Sequence, residues 1–136
     1  MNTQKVTIEL TRSGKFRLEG SQKADDLNPK ALMLCAAAKW AGLTIQAMLR
    51  KQNITVKMLE ITVEGVLDTP EVQAGSHFRS FNVSYNAQCK TLADQNAVSR
   101  AIALTQEKYC GTIAMLRMIA PVAHEISVVS TENVKA

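Results

Sequence analysis

Residues 28–50 read NPKALMLCAAAKWAGLTIQAMLR, and the reading of this stretch decides the fold. Asn28 before Pro29 is a helix start: the asparagine side chain caps free N–H groups, and proline at the first helical position gives up a donor that has no intrahelical partner. The helix is expected to run to about Arg50. Its apolar side chains, from Leu32, Met33 and Leu34 through Trp40 and Leu43 to Ile45, Met48 and Leu49, spread around nearly the whole circumference. A helix of that kind must be covered on every side. Lys39 at the centre of the apolar segment would cost a few kcal/mol in lipid, so a buried helix is expected and no membrane span. One chain of 136 residues has little material to cover both sides, and a second copy is the economical answer. A homodimer is therefore expected, two-fold dimers being the commonest symmetric assembly.

Outward from this helix the pattern changes to a period of two. Val6, Ile8 and Leu10 alternate with Thr7, Glu9 and Thr11, then Arg12-Ser13-Gly14 supplies a turn and Phe16 and Leu18 resume the alternation, which predicts a β-hairpin with one wet face. A polar stretch, Glu19 to Asn28, leads to the helix. Beyond it, strands are expected over Val56–Val66 and Phe78–Cys89, joined by a long loop from Asp68 to His77. Thr91 with Asp94 has capping spacing and opens a helix to about Tyr109. Gly111 interrupts it, Thr112–Ala120 forms a short helix stopped by Pro121, and His124, Ile126 and Val128 alternate in a last strand. The order β-β-α-β-β-α-α-β lacks the βαβα repeat of a parallel sheet, so the fold class is α+β, in one domain over residues 1–136.

Composition limits the function classes. With 46% apolar and 21% charged residues, a chain this long buries roughly two-thirds of its unfolded surface and needs no metal or disulfide staple. Cys35, Cys89 and Cys110 are odd in number and widely spaced, against a disulfide scaffold or a zinc ribbon. Sixteen Lys+Arg against 12 Asp+Glu leave +4, and no basic run exceeds Arg50-Lys51; no nucleic-acid partner is expected. The N-terminal residues MNTQKVTIEL hold no signal-peptide stretch, so the cytoplasm is the expected location. No cofactor-binding motif appears, and two histidines give a metal site little to work with.

Candidate chemistry therefore rests on thiols. Cys110 falls between the end of one helix and the start of the next, where the N–H groups of the following helix, with Lys108 nearby, would favour the thiolate; the bland alternative is a small buried hydrophobe. Cys35 lies inside the apolar helix, where burial raises a thiol pKa and makes it inert. Cys89 belongs to the core face of a strand, and His77 to a solvated loop.

The NPKALMLCAAA segment, and above all Gln106-Glu107-Lys108-Tyr109-Cys110 followed by a short helix and a final strand, resembles the OsmC/Ohr superfamily over essentially the whole chain. The resemblance implies an intertwined homodimer with central helices sandwiched between sheets. It also implies a thiol-dependent hydroperoxide reductase of the oxidative-stress response. One cysteine of the central helix attacks the peroxide, a second at the place of Cys110 condenses with it to a disulfide, and an arginine at the place of Arg12 assists. The attacking cysteine of the family stands eleven residues after the proline, and here that position is Trp40. Its supporting glutamate would fall at Lys30 or Ala31. The site implied is thus degenerate, with Cys110, Cys35 and Arg12 left as candidate catalytic residues. Cys35 stands five residues before Trp40, about 140° around the helix and roughly 7.5 Å along it. Trp40 itself is either a core aromatic or, with Lys39, the wall of a ligand pocket for a small apolar molecule with an anionic head. The expected small-molecule partner is an organic hydroperoxide or, in a non-catalytic dimer, such an apolar ligand.

Overall fold

A computed structural model describes residues 2–20 and 22–132 of the chain. The opening alternation forms β1 (Thr3–Leu10) and β2 (Phe16–Leu18), paired antiparallel with Ile8 opposite Leu18 and Leu10 opposite Phe16. Gly14 in their turn has a φ of +81°, the left-handed region that glycine enters without a Cβ penalty. The polar stretch after it, of which Ser21 lies outside the described residues, leads to α1 (Pro29–Lys51). Asn28 caps this helix as its sequence predicts, its Oδ1 accepting from the Ala31 N–H at 2.9 Å.

Two long strands follow. In β3 (Met58–Leu67) every second residue is buried, Leu59, Ile61 and Val63 facing in. In β4 (Phe78–Cys89) Phe81, Val83, Tyr85, Ala87 and Cys89 do the same. Then come α2 (Leu92–Leu104), a wide π-turn over Thr105–Tyr109, α3 (Gly111–Ile119) and β5 (Val122–Ser130). The five strands lie in the order β2-β1-β3-β4-β5, all antiparallel except β5, which runs parallel to β4 after the helical crossover. The α+β class expected from the element order is what the chain adopts. Two details differ from the sequence reading. Gly111 opens α3 where an interruption was expected, and the end of the α2 segment is a π-turn and not regular helix.

The helix α1 meets the sheet through β1 and β3 and meets α2 and α3 at its side. By length and composition it is apolar enough to cross a membrane; in this fold it is the core helix. Ala31, Leu34, Ala37, Ala38, Ala41, Gly42, Ile45 and Leu49 are buried. The expectation of cover on every side is corrected for the single chain, because one sheet shields one face only. Leu32, Met33, Trp40 and Leu43 form an open apolar stripe at helical spacing, with Trp40 48% and Leu43 49% exposed.

Small residues on the buried face let α1 approach the hairpin. A Cβ added to Gly42 would fall 2.5–2.9 Å from three ring atoms of Phe16. Gly→Ala inside a helix ordinarily stabilises by about 1 kcal/mol. Here overpacking of about 1–3 kcal/mol outweighs that gain, so Gly42→Ala is expected to lower the melting temperature. The loss should be largely recovered in a Gly42→Ala, Phe16→Leu double variant, read by thermal unfolding as a coupling between neighbours.

Candidate functional site

Cys110 is placed by the break in the helical crossover. Its N–H reaches the carbonyl of Thr105, five residues back, at 3.0 Å, and the widened turn leaves carbonyls without the usual helical donors. Arg117, from α3, takes two of them. Its Nη2 donates to the Gln106 carbonyl and its Nη1 to the Glu107 carbonyl at 3.4 Å. Arg117 thus ties α3 back onto the turn that carries Cys110.

The thiol of Cys110 is 2% exposed at the N-cap of α3. Burial pushes its pKa up, and the Ile113 and Thr112 N–H groups and the Arg117 guanidinium pull against that rise. This is the helix-terminus field expected from the sequence, and it is outweighed by desolvation. The cation is Arg117; Lys108, expected in that role, is exposed and is not among the groups acting on the thiol.

Tyr85 shares this space. Its phenol is pushed well above the usual range by burial first and then by Cys110, with Arg117 opposing. Its hydroxyl donates to Gln106 Oε1 at 2.5 Å, and Gln106 is fully buried. Cys110, Tyr85 and Gln106 are therefore buried polar groups near the N-terminus of α3, and the exposed Arg117 reaches the carbonyl of Gln106 from outside. Trp40 lies against this N-terminus: a Cβ on Gly111, the residue after the thiol, would sit 3.4 Å from the indole Cζ2. Trp40 is not a core aromatic of the single chain; it is a half-exposed lid over the backbone next to Cys110.

The other candidates lie elsewhere. Cys35 is half-buried on α1, its thiol pushed up by burial and eased by Lys39. Among the described residues no hydrogen bond or electrostatic interaction joins it to Cys110, and both are free thiols. Arg12 is exposed in the β1–β2 turn, in a cleft with Gln46, Thr55 and Lys57. It is not among the charges that act on Cys110. Cys89 is fully buried with its sulfur toward the Thr91 and Val129 carbonyls, the core position expected. His77 sits in its loop beside Asp68.

Sequence reading missed Tyr85, Gln106 and Arg117. Gln106 and Arg117 lie four residues before and seven after Cys110 on either side of the helix break, so helical spacing could not have joined them in sequence. Tyr85 stands on the inward face of its strand, where a buried hydroxyl requires a partner.

Raised thiols and a raised phenol bind their protons more tightly in the folded than in the unfolded chain. Cys35, Cys89, Cys110 and Tyr85 all shift upward. Their contribution is fully present below roughly pH 8.5, where unfolded thiols begin to ionise, and is lost as pH rises through the folded values. A melting temperature that falls steadily from pH 8 to pH 10.5 is expected, and a Cys110→Ser, Cys89→Ser variant should show a shallower fall.

The family model described as OsmC-like protein matches residues 20–125. Among solved structures the chain is similar to an organic hydroperoxide resistance protein, OsmC, from Legionella pneumophila, at 25% identity over 82% of this chain and 74% of that one, with a TM-score of 0.53. It is similar in fold to the organic hydroperoxide resistance protein OhrB of Bacillus subtilis (19% identity, 93% and 98% covered, TM-score 0.52). The fold is likewise that of an OsmC-like protein from Mycoplasma pneumoniae (13% identity, 95% and 98% covered, TM-score 0.60). No curated protein matches the chain.

Proposed function

The chain belongs to the OsmC-like protein family, and we propose that it reduces organic hydroperoxides with Cys110 as the reacting thiol, in a site where Trp40 stands in place of the family's attacking cysteine. The observation that carries this reading is the placement of Cys110 at the N-terminus of α3: burial raises its thiol pKa overall, and the Ile113 and Thr112 N–H groups and the Arg117 guanidinium are there to oppose that rise and meet the anion once it forms. The names of two relatives, both hydroperoxide resistance proteins, support it.

The chemistry needs one thiolate. The sulfur attacks the distal oxygen of the hydroperoxide, the S–O bond forms as the O–O bond breaks, and the electron pair leaves on an alkoxide that takes a proton and becomes the alcohol. Sulfur is oxidised by two electrons to a sulfenic acid. A thiol reductant then attacks the sulfur, releases the oxygen as water and leaves a disulfide. That thiol is Cys35 where a second copy presents it, or an external dithiol. Arg12, apart from Cys110 within one chain, likewise joins the site only from a second copy.

Cover for the open stripe supports such an assembly. Leu32, Met33, Trp40 and Leu43 on α1 and Met115, Met118 and Ile119 on α3 are exposed apolar side chains, and we read them as the two-fold interface of a homodimer.

The test is thiol counting on the whole chain. Treatment with cumene hydroperoxide should consume thiol at Cys110 first, mapped by peptide mass spectrometry, and a dithiol should restore it with turnover. Oxidation confined to Cys35, or no thiol loss at all, would refute the reading. A second reading is favoured by one observation, the half-exposed Trp40 over Gly111: a non-catalytic dimer holding a small apolar ligand there. It expects quenching of the sole tryptophan by fatty or aromatic acids with no peroxide consumed.

A further inference from the structure

Three buried side-chain polar atoms lack a hydrogen-bond partner among the described residues: Gln46 Oε1, Gln106 Nε2 and Thr112 Oγ1. Two of the three flank Cys110 along the chain. Gln106 is fully buried, and its carboxamide is half used. Tyr85 donates to Oε1, which fixes the amide so that both hydrogens of Nε2 remain free. Buried polar groups are nearly always paired, and one left open is costly unless something fills it. Tyr85 bonds the Gln106 amide, and after burial Cys110 is the group that raises its phenol pKa. The two open groups near Cys110 in sequence, Gln106 Nε2–H and the Thr112 hydroxyl, are donors, and a thiol with no oxygen on it offers them little.

We propose that Gln106 is a hydrogen-bond donor to the oxygen that Cys110 acquires, and that Tyr85 is the positioning residue that holds the amide for this task. This rests on the hydroperoxide reading above. The oxygen that ends on the sulfur is the distal oxygen of the peroxide: a hydrogen bond from Gln106 Nε2–H holds it in line for attack and afterwards holds the sulfenic hydroxyl, while the negative charge of the step leaves on the alkoxide. The Thr112 hydroxyl, two residues after the thiol and also without a partner, is a second donor to the same atom. Tyr85 makes no contact with the oxygen; its hydroxyl prevents the amide from turning its carbonyl toward it.

The experiment compares two reactions of the same thiol. Oxidation by cumene hydroperoxide places an oxygen on Cys110, whereas alkylation by iodoacetamide does not. In Gln106→Leu the second-order rate of Cys110 oxidation, followed by trapping the sulfenic acid with a 1,3-diketone, should fall about tenfold as the peroxide loses its orientation. The alkylation rate and its pH profile should stay within twofold, and trapped product should give way to sulfinic acid. Gln106→Met, closer in shape to glutamine, serves where the leucine variant folds poorly, and Tyr85→Phe should show a loss of about threefold in the same direction. Equal changes in both reactions would mean that Gln106 only shapes the thiol's surroundings, and unchanged oxidation would remove its role; either overturns the inference. Absence of sulfenic acid in the parent chain would instead overturn the hydroperoxide reading, and this proposal with it.

Discussion

A Cys110→Ser chain is expected to lose hydroperoxide consumption by at least about a hundredfold while keeping its fold. The thiolate is the nucleophile in this chemistry, and a serine hydroxyl has no comparable anionic fraction at neutral pH. Cys110 stands at the N-cap of α3 without a side-chain cap hydrogen bond, and serine is among the strongest N-cap residues, worth about 1 kcal/mol over a poor cap. The variant should therefore melt no lower than the parent. That separation matters: most substitutions of a residue 2% exposed lose activity by unfolding, and this one should lose it with stability unchanged or raised. Cys35→Ser and Cys89→Ser are the controls. Cys89→Ser should retain the first oxidation, because that thiol packs in the core against the Thr91 and Val129 carbonyls. Cys35→Ser should also form the sulfenic acid; a slower recovery in that variant would identify Cys35 as the thiol that closes the disulfide. A Cys110→Ser chain that reduces hydroperoxide at the parent rate would place the reaction elsewhere.

The same chemistry fixes the direction of its pH dependence. Burial holds the Cys110 thiol above its ordinary range despite Arg117 and two backbone N–H groups, so most of it is protonated near neutrality and its rate should still be climbing at pH 9. If the unpartnered Gln106 Nε2–H and Thr112 hydroxyl receive the oxygen, they help the sulfur as it takes that oxygen and do nothing for the resting thiolate. Slow onset with a well-held product is the behaviour expected of such an arrangement.

Much of this architecture is written in local patterns. Asn28-Pro29 marks the start of α1 because capping chemistry is decided by adjacent residues, and the alternation of β3 and β4 marks their inward faces because a strand has a period of two. The position of Cys110 at a helix junction was readable for the same reason. What was not readable depends on tertiary distance. Lys108 is close to the thiol in sequence, yet it points to solvent, while Arg117 reaches back from the far side of α3 to the π-turn carbonyls. Tyr85 and Gln106 meet across the sheet–helix interface from positions 21 residues apart, a pairing no periodicity announces. The all-round apolar face of α1 was visible in sequence, and the fold of one chain covers half of it, leaving Leu32, Met33, Trp40 and Leu43 open.

That open half supplies the second large effect. Leu43→Glu is expected to convert a dimer into a monomer, weakening association by about a thousandfold or more. In the separate chain the substitution is benign: Leu43 is 49% exposed, glutamate is a good helix former, and the carboxylate stays in water. In the dimer it would be pressed into an apolar seam, where an unpaired charge costs several kcal/mol, and a factor of a thousand corresponds to about 4 kcal/mol. Sedimentation velocity at micromolar concentration reads the change directly, and the emission of Trp40, one helical turn away on the same stripe, should shift to the red as the indole meets water. A Glu125→Lys exchange on the exposed outer edge of the sheet should leave the dimer intact. The activity of the Leu43→Glu monomer then decides how the site is built. If Arg12 and Cys35 act from the partner subunit, the monomer forms sulfenic acid slowly and cannot close a disulfide; if Cys110 with Gln106 and Arg117 suffices, the monomer oxidises at the parent rate and needs only an external dithiol. A Leu43→Glu chain that remains dimeric would move the interface off α1 and leave Trp40 as a ligand surface of the single chain.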